Sequence, residues 1–300
     1  DYLSTRYAQQ RAAESGLPLL QVQHHHAHLA ACLADNDWHD PDPVIGLSFD
    51  GTGLGPDGAI WGGEFLLGHY ASCQRLYHLA YTPLPGGDQA VRKPARMALA
   101  HLWQSGLDWE PDLPPVQALC YEERTLIRIQ LEKSINAPLT SSAGRLFDAA
   151  AALIGVRAEA TYEGQAAIEL EALADPQVTG HYEFDLHGAQ IDPGPLWQAL
   201  LADWRAGTTT PVLSARFHNS LAALAVQVCQ AVRQQSGART VALSGGVWQN
   251  RTLLTKTLSG LRAAGFTALI HRRVPANDGG IALGQALIAA HNRNETVLLP

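Results

Sequence analysis

Residues 43–68 read PVIGLSFDGTGLGPDGAIWGGEFLLG, and the fold turns on how the glycines in the middle are taken. Gly53, Gly55 and Gly58 match GxGxxG directly after the apolar run VIGLSF, as a dinucleotide-binding turn would. Such a turn must open a helix, because the pyrophosphate sits on the helix N-terminus. The next residues, AIWGGEFLLG, are instead strand-like, so the stretch predicts strand, glycine turn, strand: a hairpin. Glycines between strands either turn backbone N–H groups towards a phosphate or make an ordinary hairpin, and the residues alone leave both open. Asp50 ends the first strand, where a buried carboxylate needs a metal or a polar ligand as partner.

Upstream, four histidines fall within five residues, His24 to His28, at the start of an apolar helix running to Asn36. A helix puts residues i and i+4 on one face, so His24 and His28 can aim at one point, the spacing of a two-histidine metal site. Helix-borne histidine pairs also occur as solvated surface residues, and His25 and His26 point elsewhere. Residues 1–15 read as a further helix, PLLQVQ (18–23) as a short strand and RLYHLA (75–80) as a third hairpin strand.

From Lys93 to about Ala174 the pattern turns helical, which reads as a helical insertion. Residues 211–237 predict a long helix ending at Gly237, followed by the strand TVALS, a Gly-Gly turn and the helix VWQNRTLLTKTLSGLRAAG. That turn leaves room for a flat or anionic ligand; Asn250 there suits a ribose or base, or is simply a polar helix residue. TALIHRRVPAND is strand then loop, with a final helix from Gly279. Asp278 is placed either to cap that helix or to complete a mixed nitrogen and oxygen metal shell. In GRLFD, Arg145 and Asp148 stand one turn apart, as a surface ion pair does.

Strands and helices alternate, so the class is α/β. With 300 residues and 46% hydrophobic content the chain can bury a sizeable core. A net charge of -7 without any basic run argues against a nucleic-acid groove. The four scattered cysteines form no CxxC pair, so reduced thiols and a cytoplasmic location are expected. No apolar stretch is long enough for a membrane span, and the start DYLSTR lacks a signal-peptide core. The P-loop and the GxSxG elbow are absent, which disfavours those nucleotidases and hydrolases. The chain does not begin with methionine, which suggests a piece of something longer.

Taken together, VQHHHAHLAA (22–31), FDGTGLGPDGAIWGGEF (49–65), LPGGDQAVRKPARMA (84–98), TSSAGRLFDAAAALIG (140–155), TYEGQAAIELEALA (161–174), LSGGVWQNRTLL (243–254) and RVPANDGGIALGQA (273–286) resemble the C-terminal carbamoyltransferase region of HypF-type maturation proteins of nickel–iron hydrogenases. The region is similar to the Kae1/TsaD tRNA threonylcarbamoyl transferases and to antibiotic O-carbamoyltransferases. The resemblance implies a two-lobed actin/hexokinase/Hsp70 (ASKHA) fold with a helical insertion. Residues 1–41 and 275–300 would be the remnant of a truncated first lobe, and 42–274 the second lobe.

The resemblance also implies the site. His24, His28, Asp278 and Asp50 would hold a divalent metal, iron or zinc. Asp50, Gly51, Thr52 and Gly53 would cradle phosphate, and Asp148, Gly164 and Asn250 the adenosine part. The implied reaction carries a carbamoyl group from carbamoyladenylate, made from carbamoyl phosphate and ATP, to the C-terminal cysteine of a HypE-type partner. The product is the precursor of the cyanide ligands of the hydrogenase iron. Family members carry acylphosphatase-like, zinc and YrdC-like domains besides, none of which is in this sequence, so weak or no overall activity is expected of the isolated chain. The alternatives are a tRNA-modifying transferase, which the acidic balance opposes, and a non-catalytic fragment that binds nucleotide or partner without turnover.

Overall fold

The computed structural model describes residues 3–296. Asp1 and Tyr2, in the expected first helix, and residues 297–300, in the expected first-lobe remnant, lie outside the described residues. In chain order the elements are α1 (Leu3–Ser15), α2 (His24–Asp35), β1 (Val44–Leu54), β2 (Ile60–Gly68), β3 (Cys73–Leu79), β4 (Thr82–Pro83), α3 (Asp88–Arg92), α4 (Pro94–Gln104), α5 (Pro114–Gln117), α6 (Tyr121–Lys133), β5 (Leu139–Thr140), α7 (Ala143–Leu153) and α8 (Gln165–Leu173). Then come β6 (Asp185–His187), β7 (Gln190–Asp192), α9 (Gly194–Arg205), α10 (Thr210–Ser236), β8 (Thr240–Ser244), α11 (Arg251–Ala263), β9 (Thr267–Ile270) and α12 (Ile281–Thr296), with 3-10 turns at Gly246–Gln249 and Asp278–Gly280.

Among the described residues every strand belongs to one sheet, ordered β6-β7-β3-β2-β1-β8-β9 along its main path. The expected hairpin is there: β1 and β2 pair antiparallel, and β3 extends them. On the other side β8 and β9 join in parallel, as connections through helices require.

Period-two alternation along the central strands decides what each face carries. Ile45, Leu47 and Phe49 of β1 and Val241 and Leu243 of β8 point into the larger core, beneath α4, α7 and α10. Val44, Ala242 and Leu269 point to the opposite face, where they pack with Ala27, Leu29, Ala30 and Leu33 of α2 and Ile288 of α12. On that second face the Ser48 hydroxyl donates to the His25 carbonyl at 3.3 Å, and Asp50 continues the same row. The two helices cross closely at Gly284, where a Cβ would strike the Ala27 carbonyl. Apart from His24 and Ala34, α2 is buried throughout, so it has no uncovered apolar face. Leu3 and Tyr7 of α1 and Leu17, Leu19 and Leu20 are exposed, as are Tyr121, Leu126 and Ile129 of α6.

Three sequence expectations need correction. Residues 18–23 form no strand: a strand exists only in a ladder, and no sheet edge meets this stretch. The helix expected from Val247 is broken at Asn250, because that side chain caps α11 by accepting from the Leu253 N–H at 2.8 Å. The segment holding β6, β7 and α9, unassigned from sequence, extends the sheet on its β3 edge.

Candidate active site

Helix α2 begins beside the row of β1 residues that ends in Asp50. Gln23 caps it by accepting from the His26 N–H at 2.8 Å, which sets His24 in the first turn and His28 one turn later on the same face. Asp278 arrives from the far end of the chain. Asn277 does the local capping, accepting from the Gly279 N–H at 3.1 Å, so the Asp278 side chain is left to face the imidazoles. His24 Nε2 lies 3.2 Å from Asp50 Oδ2 and 3.4 Å from Asp278 Oδ1; His28 Nε2 lies 3.3 Å from each.

These four residues are the one metal-competent group of their kind among the described residues, and their ligand atoms lie within 4.8 Å of one another. Four donors each about 2.0–2.1 Å from a single ion in tetrahedral array stand about 3.4 Å apart, so the spacing fits one first-row cation. His28 Nε2 is fully buried, and its angles to the carboxylates make no hydrogen bond. Electrostatics agree with a cation site. Burial alone would lower the His24 pKa, but the carboxylates of Asp278 and Asp50 outweigh it and raise it to about 9. His28 is raised in the same way, while both carboxylates are held below their ordinary range, against the effect of burial, chiefly by the two imidazoles.

The surroundings orient the donors. Ser244 Oγ, at the end of β8, lies 3.3 Å from His28 Nδ1 and 2.8 Å from His271 Nε2. Burial pushes His271 down to about 4, so it is neutral, and the Ser244 hydroxyl bridges the two rings. The Ser244 contact holds the His28 ring from its Nδ1 side and turns Nε2 to the carboxylates, as an outlying support of a metal-ligating histidine does. His26 and His25 are elsewhere engaged: His26 Nε2 donates to the His69 carbonyl at 2.7 Å, and His25 Nδ1 meets Gln23 Nε2 at 3.3 Å.

Asp50 and Asp278 also line a cavity of about 570 Å³, together with Gly51, Thr52, Asp148, Gly164 and Asn250. Asp50 Oδ1 accepts from the Gly246 N–H at 3.0 Å, so one carboxylate joins the histidines to the Gly-Gly turn. Gly245 has φ +107°, and a Cβ there would strike the Phe49 carbonyl, so the turn passes tightly behind β1. The Ser142 hydroxyl lies 2.7 Å from the Asp50 carbonyl and accepts from the Arg145 N–H at 3.2 Å, tying the hairpin to the start of α7.

Of the residues expected to hold a substrate, Gly53 is the one the structure does not bring to the cavity. It packs against the histidine helix, where a Cβ would stand 2.6 Å from His24 Cδ2. Asn250 lines the cavity but is committed on both sides, capping α11 and donating from Nδ2 to His218 Nε2 at 2.9 Å. The Arg145–Asp148 pair is no surface feature: the two side chains are 9% and 5% exposed, with Nη2 3.0 Å from Oδ2. That contact is too poorly angled for a hydrogen bond, so Asp148 Oδ2 lacks a hydrogen-bond partner, as does Arg145 Nε. Glu163, in the turn before α8, and Glu171, within α8, also line the cavity, and neither has a role expected from the sequence. Ser142 and Ser244 are equally silent in the sequence.

Comparisons with known proteins agree on one relationship. Residues 46–285 match the family model described as the second subdomain of the carbamoyltransferase Kae1-like domain, and residues 1–35 match that of the HypF Kae1-like domain. The carbamoyltransferase HypF of Rhodobacter capsulatus is 46% identical over 294 residues, covering 97% of this chain and 38% of that protein. A HypF homolog of Cupriavidus necator is 42% identical over 300 residues, covering 97% of this chain and 75% of the homolog. Among solved structures, full-length HypF in its phosphate- and nucleotide-bound form superposes with a TM-score of 0.89 at 39% identity, over 97% of this chain and 45% of that one. HypF of T. kodakarensis gives 0.84 at 32% identity, over 97% and 39%. The chain thus spans 38% of the length of the first of these relatives.

Proposed function

Because the chain belongs to the HypF carbamoyltransferase family through its Kae1-like, ASKHA-type domain, we propose that its cavity binds an adenine nucleotide and that the histidine end holds iron or zinc for carbamoyl transfer. The donor is carbamoyladenylate, made from carbamoyl phosphate and ATP. The acceptor is the C-terminal cysteine of a HypE-type partner, and the thiocarboxamide formed supplies the cyanide ligands of hydrogenase iron. Residues 1–41 and 275–300 are read as first-lobe segments and 42–274 as the second lobe. α2 and α12, from the two ends of the chain, share one apolar cluster with Val44, Ala242 and Leu269 of the sheet.

The observation that carries this proposal is the meeting of His24, His28, Asp50 and Asp278 at one end of a cavity that Asp50 and Asp278 themselves line. The mixed nitrogen and oxygen donor set suits iron or zinc. A cation bound there would supply Lewis acidity, polarising the acyl carbonyl and offsetting charge on the departing phosphate. Asp50 fixes the Gly-Gly turn through Gly246 while facing the histidines, and so sets the distance between the acyl end and the nucleotide end of the ligand. Arg145 and Asp148 offer the nucleotide an unmet donor and an unmet acceptor. In the transfer, the partner's thiolate forms a C–S bond to the carbamoyl carbon as the C–O bond to phosphate breaks and AMP leaves with the electron pair. Among the chain's own thiols Cys32, Cys73 and Cys229 are poor rivals, since burial pushes Cys32 and Cys73 up to about 12 and Cys229 higher still. Among the described residues no helix is long and apolar enough to cross a membrane.

Metal analysis of the purified chain against His28→Ala is the test. About one iron or zinc per chain, lost in the variant, is the expected result. No stoichiometric metal in either protein would overturn the site. Carbamoyl transfer with supplied carbamoyladenylate and the partner then reports whether this length of chain suffices.

A further inference from the structure

A second cavity of about 280 Å³ adjoins the first, sharing Gly51, Thr52, Arg145 and Glu163 with it and adding Asp88, Arg92 and the apolar side chains of Ile60, Leu84 and Val91. It is built by the segment 84–98, which nothing in the metal or nucleotide site accounts for. That segment is fastened firmly. Arg96, 4% exposed, donates from Nε to the Pro85 carbonyl at 2.9 Å and from Nη2 to Gln130 Oε1 at 2.8 Å, and Lys93 pairs with Glu123 at 2.9 Å. Arg92, between these anchors, is exposed and has no carboxylate within ion-pair distance among the described residues, while the buried Arg145 Nε on the shared wall has no hydrogen-bond partner.

We propose that this second cavity is the acceptor subsite and that it receives the end of a polypeptide through its free α-carboxylate, held by Arg92. The proposal rests on the transferase function above, since a transferase must seat two substrates at once, side by side. The volume lies below the roughly 300–1,000 Å³ of drug-sized ligand sites, room for a chain end and not for a second nucleotide. Arg145 is already paired with Asp148, and the remaining lining charges, Arg92 against Asp88 and Glu163, oppose a polyphosphate and leave one guanidinium for a singly charged terminus. Planar guanidinium groups match a carboxylate in paired hydrogen bonds. Ile60, Leu84 and Val91 take the apolar part of the preceding residue. A terminal cysteine bound in this way holds its thiol a few bonds from the anchored carboxylate, facing the wall of Gly51 and Thr52 that both cavities share.

The test is a fluorescence-anisotropy titration of a short labelled peptide ending in cysteine, as the free acid and as the amide, with nucleotide present. Wild type is expected to bind the free acid at least about tenfold more tightly than the amide. Arg92→Glu should abolish that preference and Arg92→Lys keep part of it, with nucleotide affinity unchanged in both. Equal binding of acid and amide to wild type, or a preference that survives Arg92→Glu, would overturn the subsite. Nucleotide titration of the same samples keeps the two proposals apart: an intact nucleotide site with no acid preference removes only the acceptor subsite. A preference for the acid in protein that binds no nucleotide would sink the nucleotide proposal and leave this one.

Discussion

The two ends of the main cavity are finished to different degrees. At the histidine end the donors are held from behind: Asp50 by the Gly246 N–H and His28 by the Ser244 and His271 chain. At the far end the Arg145–Asp148 pair is just as deeply buried, yet it leaves a donor and an acceptor without hydrogen bonds. A buried polar atom with no partner costs stability, and it persists where a ligand will complete it. Both ends hold polar atoms for a ligand to complete, but the histidine end gathers four donors about one point, as a single cation needs, whereas the far end offers a donor and an acceptor to a larger ligand. That division suits an ion that stays and a nucleotide that comes and goes.

The largest effect should come from the residue that joins the ends. Asp50→Ala removes a metal donor and strips Gly246 of its acceptor, and metal affinity is expected to fall by more than about 100-fold, beyond the 10–100-fold of outlying supports. Nucleotide affinity should fall with it. Asp50→Asn keeps an acceptor for Gly246, so it should lose the metal while retaining more of the nucleotide binding. Mass-spectrometric metal content and calorimetric nucleotide titration read the two losses separately, and a variant that lost neither would dissolve the contrast.

At the unfinished end, Arg145→Ala strands a buried carboxylate and should destabilise the chain by about 3–5 kcal/mol in urea unfolding. The pair also has a pH signature. Burial pushes the Asp148 carboxyl from 3.8 up to about 6, although Arg145 opposes the shift. Between pH 4 and 6 the folded chain then holds a proton that the unfolded chain has released, so stability falls as pH rises through that window, by about 3 kcal/mol in all. Asp148→Asn should flatten that slope. A nucleotide that hydrogen-bonds to the Asp148 carboxylate lowers its pKa again, so binding near pH 6 should release protons in wild type and not in Asp148→Asn.

The same contrast explains what could be read from the sequence. His24 and His28 declare themselves because four residues of helix bring them together, a short-range rule that needs no fold. Asp50 and Asp278 follow no such rule, being 26 residues from His24 and 254 from it in the chain; the residues offered each as one alternative among others, and the resemblance chose the metal. Arg145 and Asp148 show the converse. Their spacing was legible, but spacing cannot report burial, and α7 is covered on every side because it lies between the sheet and helices α4 and α8. Ser244 and Ser142 are small hydroxyls at element ends, where hundreds of serines do nothing but cap. The hairpin and the helical middle were legible because alternation and three-to-four spacing are local, whereas β4 to β7 are two- and three-residue strands that exist only through their neighbours.

A smaller effect tests how far the prepared end depends on its supports. Ser244→Ala removes the hydroxyl between His28 and His271 without touching a donor, and the His28 ring then loses its support on the Nδ1 side. Metal affinity should fall by about tenfold, with nucleotide affinity unmoved. A competitive chelator titration measures it, and an unchanged affinity would mean that the imidazole is held by packing alone.

Asn250 gives the smallest effect and the finest discrimination. Its side-chain oxygen caps α11 at Leu253, its nitrogen donates to His218, and its surface lines the cavity. If the cap is its main task, Asn250→Ala should cost about 1 kcal/mol of stability and lower the melting temperature by a few degrees. Asn250→Asp keeps an oxygen for the Leu253 N–H and loses the donation to His218, so it should recover most of that stability. Burial keeps His218 from being protonated readily, and its Nδ1 donates to the Ser214 carbonyl at 2.8 Å, so Nε2 requires a donor that aspartate does not supply. Melting curves therefore separate the cap from the His218 contact, while nucleotide titration of the same variants shows whether Asn250 also touches the ligand. A loss of nucleotide affinity in Asn250→Asp at near-normal stability would move Asn250 from the frame of the cavity to its recognition surface, and the unfinished end would then extend from α7 across to the Gly-Gly turn.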